Sequence, residues 1–331
     1  ERTIVLKYVV RRLINYVVLL FIAVSFAYLL ASYALDPRNA FDQTNPKLNW
    51  TAINQSLTNY NINPDTSISV RYERWLKMVF LHWNWGWTPH GDAINSLIGT
   101  RIGVSVRLVI CGTIIGMVGG VAISAWSAVR QYSAADRIVS FLCLLLISTP
   151  TMVLAVLLQL CAIRFNQAIG TQFFQFIGEV GSHGNYFGAE FLSRMQHLLL
   201  PTISLSALSL ASYSRYQRNL MLDTLGADYV RTARAKGLRK GRAIRHHALR
   251  NAIIPMATYF AFGVANIFVG ATISEQVYAW NGVGSYSVMS IQQNDINGSV
   301  AVVAFSGLCT LTGALLSDIL IAVIDPRVRA R

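Results

Sequence analysis

Charge is scarce in this chain of 331 residues. Asp, Glu, Lys and Arg make up 13% of it and hydrophobic residues 53%, whereas a soluble domain carries about 25% charged residues. The deficit excludes an ordinary soluble enzyme and points to a membrane protein. Acids are the scarcer sign, with 15 Asp and Glu against 28 Lys and Arg, a net charge of +13. Such an excess invites a nucleic-acid reading. The basic residues, however, are sorted by loop rather than gathered on one stripe, so no nucleic-acid partner is expected. Cysteine is also sparse. Cys111, Cys143, Cys161 and Cys309 lie in or beside apolar runs without metal-ligand spacing, which fits small buried hydrophobes and no disulfide framework.

Catalytic signatures are missing too. No Gly-x-x-x-x-Gly-Lys-Ser/Thr loop occurs; the cluster Gly282-Val-Gly284 lacks the spacing and the lysine, so this chain alone is not expected to use ATP or to bind a cofactor. There is no His-Glu-x-x-His helix and no Gly-x-Ser-x-Gly elbow. His246 and His247 are adjacent, so they leave different sides of a helix, and no metal site is expected. An ion-coupled carrier keeps ionisable groups in mid-membrane. Here Arg107 starts a helix and Asp318 lies near the end of another; Arg107 reads as snorkelling outward and Asp318 as a structural pair with a basic residue. No internal repeat or low-complexity tract occurs. The first apolar run is too long for a signal peptide and lacks a small-residue cleavage site, and is expected to be the first membrane helix.

What the chain has in abundance is apolar runs near the 20 residues needed to cross a bilayer. Six are expected, at about Leu13–Leu35, Ser105–Trp126, Ile138–Ile163, His197–Tyr213, Pro255–Ile273 and Ser299–Ile324. The fourth is short and carries Ser204, Ser206, Ser209 and Ser212, hydroxyls that bond across helices or to the backbone. With the N-terminus inside, segments 1–12, 127–137, 214–251 and 325–331 carry +3, +1, +8 and +2, while 36–99, 164–196 and 274–298 carry 0, 0 and −2. That distribution obeys the positive-inside rule. The expected fold is therefore all-α and integral to the membrane, with six transmembrane helices and both termini cytoplasmic. Residues 1–100 are expected to form the first transmembrane helix plus a long outer segment, and residues 101–331 a five-helix core with a cytoplasmic loop at 214–253.

In the outer segment, Tyr72, Trp75, Leu76, Val79 and Phe80 share one helical face, and Trp83, Trp85 and Trp87 follow. An interfacial helix on the outer leaflet is the expectation, with a partner-receiving surface as the alternative. Gly112, Gly116 and Gly120 form a small-x-x-x-small row that lets two backbones approach; whether the neighbour belongs to this chain stays open. Pro150 and Pro201 fall inside spans three and four and are expected to kink them.

The densest feature is Arg215 to Arg250, with ten Lys or Arg against two acids. Two short helices are expected, at about Asp223–Lys236 and Lys240–Ala252. Asp223 and Asp228 suit the positive end of the first, Gly237 a left-handed cap, and Pro255 the opening of span five. Tyr229, Val230 and Ala233 give the first helix an apolar face, flanked by Arg231, Arg234 and Lys236. Such a helix either lies on anionic lipid or docks into a groove of a cytosolic protein.

Several stretches of this chain resemble one family. They are Ser214-Arg-Tyr-Gln-Arg-Asn219, Gly226-Ala-Asp-Tyr-Val-Arg-Thr-Ala-Arg-Ala-Lys-Gly-Leu238, His247-Ala-Leu-Arg-Asn-Ala-Ile-Ile-Pro255, Arg11-Arg-Leu13, Ser148-Thr-Pro-Thr151, Glu275-x-Val-Tyr-Ala-Trp-Asn-Gly-Val-Gly284 and Asp325-Pro-Arg-Val-Arg329. Together they resemble the permeases of ABC importers in the dipeptide, oligopeptide and nickel branch, most of all the B-type oligopeptide subunit. The general importer motif has Glu-Ala-Ala where this chain has Arg231, Thr232 and Ala233. Peptide permeases carry a Gly-Asp-Phe/Leu-Gly stretch where this chain reads Trp83-Asn-Trp-Gly86.

The resemblance implies the type I importer permease fold and a transport subunit in the inner or plasma membrane without an ATPase site of its own. It implies a homologous second permease, two cytosolic ABC ATPases that bind ATP and magnesium, an external solute-binding protein, and lipid as partners. It assigns ATPase coupling to Asp228, Tyr229, Arg231, Ala233, Arg234, Ala235, Lys236, Gly237 and Leu238. Oligopeptides or dipeptides are the expected cargo. Nickel or another small solute is the alternative within the family, and an ion-coupled secondary transporter or a membrane scaffold the alternative outside it.

Overall fold

The computed structural model describes residues 2–181 and 188–324, with side chains described for 10–181, 188–256, 259–260 and 271–316. Every regular element among the described residues is helical. In order they are α1 Arg2–Ala34, a 3₁₀ turn Pro37–Ala40, α2 Trp50–Asn59, α3 Ile68–His82, α4 Ile94–Val129, α5 Ala134–Ser148, α6 Thr151–Ile169 and α7 Ala189–Leu225. Then come α8 Asp228–Ala235, α9 Lys240–Ala243, a π-helical stretch Ile244–Leu249, α10 Arg250–Val277, α11 Val283–Gln292 and α12 Ile296–Ile324. Asp318 and the segment Asp325–Arg329 lie outside the residues whose side chains are described.

Among the described residues, four helical stretches are long and apolar enough to cross a membrane: Val10–Ala34, Ile94–Val129, Thr151–Ile169 and Ile296–Leu316. The expected third span is divided. Helix α5 ends at Ser148, Thr149 turns extended (φ −88°, ψ 123°), and Pro150 precedes the first residue of α6. The ring of a proline disfavours helical backbone at the residue before it, so the bend expected inside one helix is a break between two. Pro201 instead sits within a continuous α7. Pro255 lies inside α10 rather than at its opening, because the π-helical stretch and the first turn of α10 precede it.

The chain forms two compact units. The first comprises residues 1–105 and 281–311. Val24 and Tyr28 of α1, Leu57 of α2, Trp75 and Val79 of α3, and Ile296, Val300 and Ala304 of α12 form its core. The Tyr28 and Trp75 rings lie 4.7 Å apart. Buried Arg71 donates to the carbonyls of Thr66 and Ser32, fixing α3 to the end of α1. The face of α3 expected on the outer leaflet is therefore partly spent on protein: Trp75 and Val79 are buried, while Phe80 of the same face stays exposed, as do Leu81 and Trp83.

The second unit comprises residues 106–280 and 312–331. In it α5, α6 and α10 pack on α7. Gly112, Gly116 and Gly120 of α4 also face α7: a Cβ at Gly116 would meet Ser209 Cβ at 2.6 Å and the Ser206 carbonyl at 3.0 Å. The neighbour of the glycine row thus belongs to the same chain. Gln159 donates to the Val277 carbonyl at 3.0 Å and joins α6 to α10.

Candidate functional site

The basic loop is built around the far end of α7. That helix runs through Asp223 to Leu225 and stops at Gly226, so Asp223 does not open the next helix. Helix α8 begins at Asp228, where an acid suits the exposed N–H groups of a first turn. It ends in a Schellman motif: the Gly237 N–H donates to the Arg234 carbonyl at 3.0 Å and the Leu238 N–H to the Ala233 carbonyl at 3.2 Å. The motif needs a left-handed residue, and Gly237 supplies φ +88°. The second expected helix is the run of α9, the π stretch and the first turn of α10, continuous with the rest of α10.

Packing divides α8 into two faces. Val230 is 3% exposed and forms a cluster with Ala128 of α4, Met221 of α7, Ala248 and Ala252. Leu220, Leu225, Ile244 and Leu249 close around it. Ala233 is also buried. Tyr229 departs from the expected apolar face: it is 42% exposed, on the outer side with Arg231, Arg234, Ala235, Lys236 and Gly237. Asp228 and Arg231 approach only to 4.0 Å with both side chains exposed, a pair that adds little stability. The outer face therefore presents an aromatic ring among exposed cationic heads, on a helix anchored from behind.

One group behind the loop was not singled out by sequence reasoning. Asp136, in the first turn of α5, is 3% exposed. Its carboxylate accepts from Arg218 Nε at 2.9 Å and Nη2 at 2.8 Å, from the Tyr132 N–H at 3.0 Å and from the Ser127 hydroxyl. The Arg218 hydrogen bonds hold it well below the usual carboxylate range, against the opposing effect of burial. In the sequence Arg218 is one of ten basic residues between Arg215 and Arg250. The available signal was a lone acid three residues after the helix-capping Ser133 in a basic segment.

A second buried acid lies in the other unit. Asp295 is 1% exposed and accepts from the Gly298 N–H and the Tyr286 hydroxyl, both at 2.9 Å. Among the described residues no cation pairs with it; Arg101 lies over the Tyr286 ring at 4.7 Å. Burial pushes its carboxyl up to about 6, with Asp92 adding to the rise and the Gly298, Tyr286 and Asn297 hydrogen bonds opposing it.

Residues 120–330 match the family described as binding-protein-dependent transport system inner membrane component. The chain is 43% identical to the oligopeptide transport system permease protein OppB of Mycobacterium bovis, covering 98% of this chain and 99% of that protein. It is 29% identical to the oligopeptide transport system permease protein AppB of Bacillus subtilis, over 97% and 98%. It is 30% identical to the dipeptide transport system permease protein DppB of Escherichia coli, over 76% and 80%.

Proposed function

We propose that this chain, which belongs to the binding-protein-dependent transport system inner membrane component family, is the permease subunit of an ATP-driven importer of oligopeptides. The observation that carries the reading is the 43% identity to an oligopeptide permease over nearly the whole of both proteins. Dipeptide permeases among the relatives also support peptide cargo, and nickel finds no support there. Family membership replaces the ion-coupled carrier. The protein is multi-pass in the membrane, and six crossings are the fold we propose, with α5 and α6 as one broken crossing and α7 and α10 as two more. The positive-inside distribution then puts both ends and the α8 loop in the cytoplasm.

In this reading a homologous permease supplies the other half of the pathway. Two cytosolic ATPases receive the outer face of α8, and an external binding protein delivers peptide. ATP and magnesium sit on the ATPases. ATP binds the closed ATPase pair more tightly than the open pair, and that difference shifts the equilibrium of the gate. The loop suits such leverage because Val230 ties α8 to α4 and α7 through Ala128 and Met221, so that a push on α8 reaches two long helices. The test is peptide uptake by vesicles holding the assembled complex. Uptake that needs ATP and survives collapse of ion gradients supports the proposal; uptake that follows an ion gradient without ATP refutes it.

A further inference from the structure

The Asp136–Arg218 pair has no part in the docking surface, yet it lies on the line from that surface into the helices. From α8 inward, Val230 packs on Met221 and Ala128. Met221 is one helical turn beyond Arg218, and Ala128 follows Ser127; both Arg218 and Ser127 bond to Asp136. Asp136 opens α5, whose other end is cut from α6 at Thr149 and Pro150. One end of α5 is thus fixed to α7 by a fork of two hydrogen bonds, and the other end is free of the regular hydrogen bonds that would make it rigid with α6. A helix fixed in this way follows the element it is fixed to.

We propose that the Asp136–Arg218 pair is the positioning contact that carries displacement of the α7 end to α5, swinging α5 about the Pro150 break. The inference rests on the importer reading and adds which side chains transmit the stroke. Burial alone does not require the arrangement, since a carboxylate in a first helical turn finds backbone N–H partners locally. The bidentate fork adds direction: two parallel bonds to a planar guanidinium fix orientation as well as distance. A swing would also be visible beside the pair. A cavity of about 190 Å³ lies between α5 and α7, lined by Ser140, Cys143, Ser214, Arg215, Arg218 and Asn219 among others. Buried Cys143 reports on its width.

The experiment uses the assembled complex in vesicles and reads ATP hydrolysis and peptide uptake separately. Arg218→Lys keeps the charge and loses the fork. Hydrolysis within about two-fold of the unmodified complex, with uptake reduced about ten-fold or more, is the expected signature of a lost positioning contact. Hydrolysis and uptake falling in proportion, or both unchanged, overturns the proposal. A second measurement leaves the pair intact. Cys111, Cys161 and Cys309 are replaced by serine, and N-ethylmaleimide labelling of Cys143 is compared between nucleotide-free and vanadate-trapped complexes. A rate that differs between the two states supports the swing; equal rates refute it, and this comparison decides if Arg218→Lys does not assemble. Failure of the importer reading looks different: the unmodified complex then moves no peptide with ATP, while the Cys143 comparison still decides whether α5 moves.

Discussion

Replacing Gly116 by alanine is expected to destabilise the core of this protein, although alanine is the better helix former. The Cβ it adds would lie 2.6 Å from Ser209 Cβ, 3.0 Å from the Ser206 carbonyl and 3.2 Å from the Leu210 nitrogen, where ordinary contact begins at 3.4 Å. Two of those neighbours are backbone and the third is a Cβ fixed to backbone, so none can turn aside, and relieving the Ser209 contact means that α4 and α7 separate by about 0.8 Å at that level. Overpacking of this kind costs about 1–3 kcal/mol, and removing a helical glycine returns up to about 1 kcal/mol. The net effect is a loss of roughly 1–2 kcal/mol. Close approach matters more here than in water, because dispersion and weak hydrogen bonds hold membrane helices together without a hydrophobic drive. Gly99, on the same helix, has nothing within 4 Å of its added Cβ, so Gly99→Ala carries the propensity gain alone. Thermal unfolding of the purified protein in detergent separates the two. Gly116→Ala is expected to lower the midpoint and Gly99→Ala to leave it unchanged or raise it. Equal midpoints would refute the reasoning.

Gly237→Ala meets no steric neighbour and pays only for a left-handed backbone at φ +88°, about 1–2 kcal/mol. Because that penalty falls on the α8 cap, co-purification of the ATPases is expected to weaken while the midpoint of the isolated chain shifts little, and Gly237→Asn is expected to lose less. Asp295 has a folded pKa raised to about 6, so between pH 4 and 6 the folded state holds the proton that the unfolded state has released. Its contribution therefore falls as pH rises through that window, by roughly 3 kcal/mol in all. Asp295→Asn keeps acceptors and donors for Gly298 and Tyr286 and is expected to flatten that part of the stability–pH curve measured by thermal unfolding. A curve identical to the unmodified protein's would contradict the assignment.

Much of this was legible in the residues. Long apolar runs mark α1, α4 and α12 because those helices have apolar faces left uncovered. The fourth span, in α7, reads as short and serine-bearing for the opposite reason. It packs against α4, α5, α6 and α10, so its covered faces need not be apolar for lipid. Its serines serve short-range ends: Ser204 donates to the Pro201 carbonyl, Ser206 to the Ile203 carbonyl, and Ser209 meets the glycine row. The divided third span was hidden because length and hydropathy do not register two extended residues at Thr149 and Pro150. The α8 loop was legible from charge, spacing and its glycine stop. The faces of α8 were only half so, since periodicity groups Tyr229 with Val230 and Ala233 while only the latter two are buried. The Asp136–Arg218 pair spans 82 residues of sequence, and no local pattern announces a partner so distant.

The central claim is that a passive gate is levered from the cytosol through the outer face of α8. A photo-crosslinking residue placed at position 229, on the exposed side of that helix, tests it most directly in the assembled complex. The account predicts a covalent adduct with an ATPase subunit and a fall in ATP hydrolysis on illumination. An adduct formed only with lipid, or reaction of a cysteine at the same position with a membrane-impermeant reagent added from outside, would contradict it.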